Sequence, residues 1–350
     1  MKKYYLLIVM CFAALGVMAQ TTLVATLTHA GVTTEYYGEN AFDIAVKASV
    51  DGDLITLSEG LFTGPTINKS LNIRGNGIGS TVITSNVTLD KSADEDEANH
   101  WLNIEGITFN ADIRIKGPVS REPYVVKDLC MKKCDIKNFG FESYYYNGDY
   151  YYSTLKNCSF INCRITNDIR MHNVCEVSFI NSIVRGYSCS AGEQVLNPKV
   201  NMLNCVIITN TAPDRVTYLN ARNSVLLISV NNYRAYSFSP TVSFQNCVIS
   251  GYIDSPSAVD SFFLNGIPHD KTIWMPMEEV FATLTEYRLY DATNDYQLNE
   301  ITSEEVDGNL LGIYNGEVPY TSTVTYPHFT TFNVAEKAVD GKLSVEVATE

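Results

Sequence analysis

The chain has 350 residues, of which 45% are hydrophobic and only 18% are charged. This composition excludes an intrinsically disordered chain, which needs low hydrophobicity and dense charge, and 21 Gly with 11 Pro exclude a collagen-like chain. The formal net charge of −14 argues against nucleic acid as a partner, because neutralising phosphates requires a basic surface.

The N-terminus has the three-part pattern of a secretory signal peptide. Lys2 and Lys3 precede an apolar run that ends in small residues at Ala19. The run is shorter than the ~20 apolar residues of a membrane-spanning helix, and no later segment is long enough to span a bilayer. We therefore expect residues 1–19 to be removed and the protein to be exported to the periplasm, the cell surface or the medium. A retained helix and a lipid anchor at Cys11 are the alternatives.

A short amphipathic helix is predicted at the start of the mature chain. Asn40 is the expected N-cap, and Phe42, Ala45 and Val46 follow at helical spacing. A turn and the first strand are predicted in residues 51–60, where Asp and Gly precede alternating apolar residues. The helix is therefore expected to cap whatever the strands form.

The strongest pattern in the sequence is a repeated phrase of apolar residues around an Asn/Lys–Cys/Ser pair. The first position of that pair is occupied in turn by Lys133, Asn157, Asn181, Asn204, Asn223 and Asn246. These positions are 19 to 24 residues apart, and the phrase alternates apolar with polar residues and favours Val, Ile and Phe. A strand-rich period of this length predicts the turns of a parallel β-helix, in which coils stack ~4.8 Å apart.

The chemistry of the phrase fits a tight corner between two strands. Asn tolerates the left-handed conformation that such a corner requires, and stacked Asn side chains can bond to one another. The next residue is expected to point inward, in a column formed by Cys134, Cys158, Ser182, Cys205, Ser224 and Cys247. Because Ser alternates with Cys, we expect stacked free thiols, with one or more disulfides among the eight mature cysteines as the alternative.

The predicted organisation is a signal peptide (1–19), a capped β-helix (20–265) and a C-terminal cap and tail (266–350). A short helix is expected in residues 277–284, and a last short strand in residues 340–347. The fold class is therefore all-β: a parallel β-helix with a short N-terminal capping helix and an irregular C-terminal cap.

Several segments resemble a known superfamily. Residues 51–62, 67–77 and 81–83 are similar to the entry coils of secreted bacterial right-handed parallel β-helix proteins of the pectin-lyase-like superfamily. Residues 307–320 resemble a terminal cap of an uncharacterised bacterial group within it, and with the repeats the resemblance covers most of residues 36–330. It implies a right-handed solenoid but no single activity, because this superfamily contains lyases, hydrolases, epimerases, adhesins and inert scaffolds.

Motifs for cofactor, metal or hydrolytic chemistry are weak. Residues 90–97 contain five acids that could attract Ca²⁺, but the EF-hand spacing is missing and a solvated loop is the expected structure. No Cys/His set has zinc-ligand spacing. Residues 153–250 hold only four acids and no close pair for glycoside hydrolysis. No metal, no cofactor and no catalytic residue is assigned.

The same segment, residues 153–250, is basic in an otherwise acidic chain. Its basic residues are Lys156, Arg164, Arg170, Arg185, Lys199, Arg215, Arg222 and Arg234. Aligned on one face they could grip the carboxylates of an anionic glycan, as a polysaccharide lyase would require. The alternative is that they point from different faces and only solubilise the stack. Asp168 and Arg170, two residues apart, are predicted to share a strand face.

A tyrosine cluster interrupts the repeat. Its members are Tyr144, Tyr145, Tyr146, Tyr150, Tyr151 and Tyr152. The intervening Asn147-Gly148 pair predicts a protruding β-hairpin. Tyrosine rings suit sugar faces and protein partners, and packing against the solenoid is the alternative. The candidate binding site is this cluster together with Arg164, Asp168 and Arg170.

The function expected from these features is non-catalytic binding of carbohydrate or another extracellular polymer by an exported β-helix protein. A polysaccharide lyase acting on a uronic-acid glycan is the first alternative, and a structural or adhesive surface protein is the second. No nucleic-acid partner and no membrane span are expected.

Overall fold

The computed structural model describes residues 23–90, 100–117, 125–141, 143–146, 149–172, 176–190, 199–209, 218–228, 241–251, 267–282, 296–301, 305–321, 329–334 and 345–349. The signal peptide predicted for residues 1–19 and the acidic residues 91–97 lie outside these ranges. Within them, no helix has the length and apolar content needed to cross a bilayer.

The described chain consists mainly of short strands. The first are β1 (Val24–His29), β2 (Val32–Tyr37), β3 (Leu54–Leu57), β4 (Gly60–Phe62), β5 (Thr66–Ile67), β6 (Asn72–Arg74), β7 (Thr81–Ile83), β8 (Val87–Leu89), β9 (Leu102–Glu105) and β10 (Thr108–Ile115). Next are β11 (Val125–Lys127), β12 (Leu129–Lys132), β13 (Asp135–Phe141), β14 (Ser143–Tyr146), β15 (Asp149–Tyr152), β16 (Thr154–Lys156), β17 (Cys158–Ile161), β18 (Arg164–His172), β19 (Glu176–Ile180) and β20 (Ile183–Arg185). The last are β21 (Tyr187–Ser190), β22 (Lys199–Leu203), β23 (Val206–Thr209), β24 (Asn220–Arg222), β25 (Val225–Ile228), β26 (Ser243–Gly251), β27 (His269–Trp274), β28 (Phe329–Val334) and β29 (Val345–Thr349). The helices are α1 (Ala41–Ala48) and α2 (Met277–Val280), and Gly308–Leu310 form a 3-10 turn.

Most of these strands stack in parallel as the coils of a β-solenoid with three sheets, which confirms the predicted fold class. Sheet 1 contains β3, β6, β9, β12, β17, β19, β22, β24, β26 and β27. Sheet 2 contains β4, β7, β10, β13, β18, β20, β23, β25, β26 and β27. Sheet 3 contains β5, β8, β10, β13, β18 and β21. Strands named twice bend around a corner between two sheets.

The interior is filled by side chains that stack from coil to coil. Phe160 and Phe179, opposite each other in β17 and β19, lie with parallel rings 4.8 Å apart. Phe139 meets Phe160 edge-on at 5.2 Å. Both geometries are favourable for aromatic pairs, and the rings are fully buried. The period-two alternation of the sequence therefore becomes one continuous apolar core.

An antiparallel hairpin, absent from the sequence-based prediction, closes the N-terminal end of the stack. Strand β1 pairs with β3 and with β2 in antiparallel orientation, so β3 does not present a free edge there. Helix α1 lies where it was predicted and buries Phe42, Ala45 and Val46. Asn40 is the N-cap residue, as predicted, but its side chain makes no capping hydrogen bond, and its Oδ1 instead accepts a hydrogen bond from Thr63 Oγ1 at 2.9 Å.

The prediction that Asn157 continues the corner row is wrong. In the register, Met131 pairs with Phe160, so the residue stacked on Lys133 is Asn162 and not Asn157. Asn157 instead forms a different corner, with Asp128, at the start of sheet 1. Both asparagines have a φ of 53° and both precede a cysteine, so the local sequence does not distinguish them. Only the strand pairing does.

The corrected corner between sheets 1 and 2 is a row of left-handed residues. It consists of Gly106, Lys133, Asn162, Asn181, Asn204, Asn223, Asn246 and Lys271. The asparagines among them have φ values between 45° and 54°, as the prediction required. From Asn162 to Asn246, coils of 19 and 23 residues alternate, so the repeat over these coils is a pair, and the last step, to Lys271, is 25 residues.

Inside this corner lies the predicted column of small side chains, with Cys163 in place of Cys158. Each thiol or hydroxyl donates to two backbone carbonyls. Cys205 Sγ donates to Leu203 O at 3.3 Å and to Phe179 O, in the preceding coil, at 3.5 Å. Ser224 Oγ makes the equivalent bonds at 2.8 and 3.4 Å. The shared donor pattern explains why Ser can replace Cys in this column.

The cysteines whose side chains the structure describes are free thiols. They are Cys130, Cys134, Cys158, Cys163, Cys205 and Cys247. This confirms stacked thiols for that set, whereas the side chains of Cys175 and Cys189 lie outside the described part. Burial raises the pKa of Cys158, Cys205 and Cys247 to about 12.

The C-terminal region covers the side of the solenoid, and the solenoid itself extends past the predicted boundary at residue 265. Strand β27 still pairs in parallel with β26. After it, α2 occupies the first half of the predicted 277–284 helix. The outer face of sheet 2 and the C-terminal segments together form a second apolar core. Its buried members are Ile183, Val206, Ile208, Val225, Leu227, Val248, Val280, Phe281, Tyr296, Val306, Leu311 and Ile313.

Corner asparagines hold this lateral cover in place. Asn204 Nδ2 donates to Leu310 O at 2.5 Å and to Gly312 O at 3.3 Å. Asn181 and Asn246 make similar bonds to the backbone of residues 307–315. The predicted bonding of Asn to Asn occurs between Asn246 Nδ2 and Asn223 Oδ1, at 3.0 Å. The same row therefore forms the corner and binds the C-terminal segment.

We expect Asn204→Ala to weaken the attachment of the C-terminal segment. The variant loses two hydrogen bonds and places Ala at positive φ, which together cost about 1–3 kcal/mol of unfolding free energy. Asn204→Gly is the matched control, because it keeps the backbone conformation accessible and loses only the bonds. Urea denaturation and limited proteolysis within residues 305–321 measure the effect. Wild-type cleavage rates in both variants would contradict it.

The buried thiols predict a loss of stability at high pH. Their folded pKa is raised, so their contribution is fully present below the unfolded pKa near 8.5 and declines as the pH rises toward 12. Each such thiol should lower the unfolding free energy by about 1.4 kcal/mol per pH unit in that window. Replacing Cys205 and Cys247 by Ser, which does not titrate, should make the decline shallower in urea denaturation at pH 8 to 10. An unchanged slope in the double variant would disprove the attribution.

Candidate functional site

The tyrosine cluster forms the predicted hairpin. Strands β14 and β15 pair in antiparallel orientation, with Tyr144 opposite Tyr151 and Tyr145 opposite Tyr150. The turn residues 147–148 and the side chains of residues 143–152 lie outside the described part. The hairpin backbone is therefore confirmed, and contact of its rings with a ligand stays a prediction.

The structure does not gather the other predicted site residues at this hairpin. All three lie on β18, but Arg164 lies in sheet 2, whereas Asp168 and Arg170 lie beyond the bend of this strand toward sheet 3. Asp168 packs beside the backbone of Gly186 in the next coil. The side chain of Arg170 lies outside the described part. The residues of the predicted binding site therefore lie at different positions around the coil and do not form one site.

Arg164 forms an ion pair with Asp135, its neighbour in the preceding coil. Both side chains are largely buried on the outer face of sheet 2. Burial raises the pKa of Asp135, and the Arg164 guanidinium opposes that rise. Arg164 therefore has a structural role: it pairs with Asp135 at the edge of the second apolar core.

The basic residues of the central coils lie on different faces, as the alternative interpretation held. Arg164 and Arg185 lie in sheet 2, whereas Lys199 and Arg222 lie in sheet 1. Lys156 lies in the separate β11–β16 pair. Arg215 and Arg234 are outside the described ranges. The described members therefore do not line up as a single cationic stripe.

A surface that the sequence did not suggest is the outer face of sheet 1. One row of it, called here the polar row, has small side chains at the position three residues before each corner: Asn72, Asn103, Cys130, Ser159, Ser178, Asn201, Asn220 and Ser243. Neighbouring members bond to each other, as Asn103 Nδ2 does to Asn72 Oδ1 at 3.0 Å and Ser243 Oγ does to Asn220 Oδ1 at 2.9 Å. The recurrence of Asn and Ser three residues before the corner was the available sequence signal.

A second row, called here the outer row, lies immediately before the corner. From coil to coil it contains Arg74, Glu105, Lys132, Ile161, Ile180, Leu203, Arg222 and Gln245. The charged members lie toward the two ends and the aliphatic members lie in the middle. All are exposed or half-buried. The two rows together make a long accessible surface along the solenoid axis.

Two shallow grooves mark this face. One, of about 150 Å³, is lined by β6, β9 and β12, and includes Asn103, Glu105 and Cys130. The other, of about 250 Å³, lies between β12 and β19 and includes Asn157 and Ser178. Both grooves are lined mainly by polar side chains that can exchange hydrogen bonds with a ligand.

The tyrosine hairpin leaves the solenoid close to the second groove. Only Ser153 and β16 separate β15 from Asn157, which lines that groove. Five residues of extended chain span at most about 17 Å. The base of the hairpin is anchored, because the buried Ser153 hydroxyl donates to Lys116 O at 2.6 Å. The hairpin and the groove therefore belong to one region of the surface.

No metal-binding cluster of three or more His, Cys, Asp or Glu occurs among the described residues. Of the acidic residues considered for Ca²⁺, Asp90 pairs with Lys116 Nζ at 2.8 Å and the others lie outside the described ranges, so that possibility stays a prediction. Comparison with known proteins identified no relative: no family model, no curated protein and no solved structure matches the chain. The resemblance found in the sequence is supported at the level of a parallel β-solenoid.

The position of Arg164 predicts a stability effect without a ligand effect. Arg164→Met removes the cation beside the buried Asp135 carboxylate and should lower the unfolding free energy by about 1–3 kcal/mol at pH 7. Adding Asp135→Asn to it should restore part of the loss, since no buried charge is then left. Urea denaturation measures both. Wild-type stability of the single variant would show that the pair is unimportant.

Proposed function

We propose that this is an exported solenoid protein that binds an extended carbohydrate, or another extracellular polymer, along the outer face of sheet 1 without turning it over. The observation that supports this most directly is the polar row. It presents an amide, hydroxyl or thiol at the same position of successive coils. Coils repeat at ~4.8 Å, so a polymer lying along the axis would meet a regularly spaced series of hydrogen-bonding groups.

The cover on sheet 2 also supports the choice of face. The outer side chains of sheet 2 in the later coils are apolar and are buried by the C-terminal segments. The outer side chains of sheet 1 in the same coils are mostly polar, with Ile180 and Leu203 as exceptions, and include the exposed Asn220, Arg222 and Gln245. A face that is accessible and rich in donors and acceptors is suited to a polar ligand.

The charges on this face favour binding over turnover. Glu105 stands in register between Arg74 and Lys132, and Glu176 stands opposite Lys199. Opposite charges at neighbouring cross-strand positions attract each other. Glycoside hydrolysis needs two carboxyl groups facing one bond, and a lyase needs a base beside a cation that is free to hold a uronate.

Filling the second groove should strongly weaken polysaccharide binding. Ser178→Trp places a bulky ring on the outer face of β19, and we expect at least a tenfold loss of affinity for any polysaccharide that the wild type retains on a glycan array. Thr88→Trp, on the outer face of sheet 3, is the matched control and should bind normally. Isothermal titration calorimetry quantifies both variants.

The same samples distinguish the alternatives. Absorbance of unsaturated uronate, growing during incubation with polygalacturonate or alginate with and without Ca²⁺, would identify a lyase and overturn the non-catalytic proposal. Equal binding by wild type and Ser178→Trp would place the site elsewhere. Failure to retain any polysaccharide would favour the structural or adhesive role.

A further inference from the structure

The middle of the sheet 1 face carries an aliphatic strip. Ile161, Ile180 and Leu203 occupy the same position of the outer row in β17, β19 and β22, with Ile161 paired to Ile180 and Ile180 paired to Leu203. All three are half-buried on the outside of the solenoid. Neither apolar core of the described residues includes them. The strip is therefore an apolar surface that belongs to neither core.

The polar row beside this strip is uncharged. Ser159, Ser178 and Asn201 stand in register in the same three strands, two residues from the aliphatic positions. Each offers both a donor and an acceptor. The central stretch thus combines a band of C–H surface with a parallel band of hydroxyl and amide groups.

The charge distribution disfavours an anionic ligand here. The charges of the outer row nearest the strip, Lys132 and Arg222, lie one coil beyond each end. The other cation of these strands, Lys199, lies on the far side of the polar row from the strip and stands opposite Glu176. A uronate carboxylate laid over the strip itself would lose hydration without meeting a cation there, which is costly. The whole chain carries a formal charge of −14, which repels polyanions at a distance.

We propose that the ligand of this face is a neutral polysaccharide. Its sugar rings pack their C–H faces on Ile161, Ile180 and Leu203, and its hydroxyls bond to the polar row. The inference rests on the proposed function and narrows it to one ligand class. It also distinguishes this face from a uronate-binding one, where cations would stand in place of the aliphatic side chains.

The test compares neutral and anionic polymers on the full mature protein. Hydroxyethylcellulose, xyloglucan and galactomannan are the neutral probes, and polygalacturonate and alginate are the anionic ones. Affinity gel electrophoresis and calorimetry at 50 and 500 mM NaCl give the dissociation constants. We expect binding to at least one neutral polymer, with less than a twofold change between the two salt concentrations, because no charge pairs are screened.

Two variants locate the site. Ile180→Asp puts a charge in the middle of the strip and should weaken neutral-polymer binding at least tenfold. Leu61→Asp, at an exposed apolar residue on the outer face of sheet 2, is the matched control and should bind normally. Should Ile180→Asp fail to fold by circular dichroism, Ser178→Ala replaces it with an expected loss of about threefold to tenfold.

The outcomes separate the two proposals. Neutral-polymer binding that is insensitive to salt and lost in Ile180→Asp supports the inference. Binding only to polygalacturonate or alginate, weakened by 500 mM NaCl, overturns the neutral ligand but leaves polymer binding by this face in place. Neutral-polymer binding that Ile180→Asp leaves intact also overturns the inference, because the strip is then not the site. Binding to none of the polymers overturns both proposals.

Discussion

The constraint on which the structure depends is the left-handed residue at the corner between sheets 1 and 2. It turns the chain by enough that the next residue enters the core, where a thiol or hydroxyl donates to carbonyls of its own coil and of the preceding coil. Asn meets this requirement without the strain that other side chains incur. Because the corner recurs at every coil, it sets the register of both sheets and decides which residues face outward.

The corner asparagines also explain why the two outer faces differ. The side-chain amides of Asn181, Asn204 and Asn246 hold the backbone of residues 307–315, which brings Leu311 and Ile313 onto the apolar outer face of sheet 2. Sheet 2 is thereby covered in its later coils, whereas sheet 1 keeps an accessible outer surface. The choice of candidate site follows from this asymmetry, since the apolar outer face of sheet 2 packs against the C-terminal segments and the outer face of sheet 1 stays accessible.

The predicted site and the observed candidate differ for a physical reason. Arg164 was attractive because Arg binds carboxylates, but here the carboxylate is supplied within the chain by Asp135. The residue types of Ser178 and Asn201 do not by themselves suggest a binding site. They become a surface only when coils of different length bring them into register. The tyrosine hairpin was predictable, because Asn147-Gly148 between two tyrosine runs is a strong local signal, and its strands pair as that signal requires.

The sequence by itself determined the solenoid, the preference for Asn at its corners and the interchange of Cys with Ser inside it, because each is a short-range pattern that repeats with the coil. It also determined the α1 helix and the tyrosine hairpin. Only the tertiary structure decided that Asn162, rather than Asn157, continues the corner, since identical local dipeptides are separated only by which strand they stack on. Contacts between residues distant in the chain likewise decided the lateral position of the C-terminal segment and the composition of the sheet 1 face. Such contacts produce no periodic pattern in the sequence.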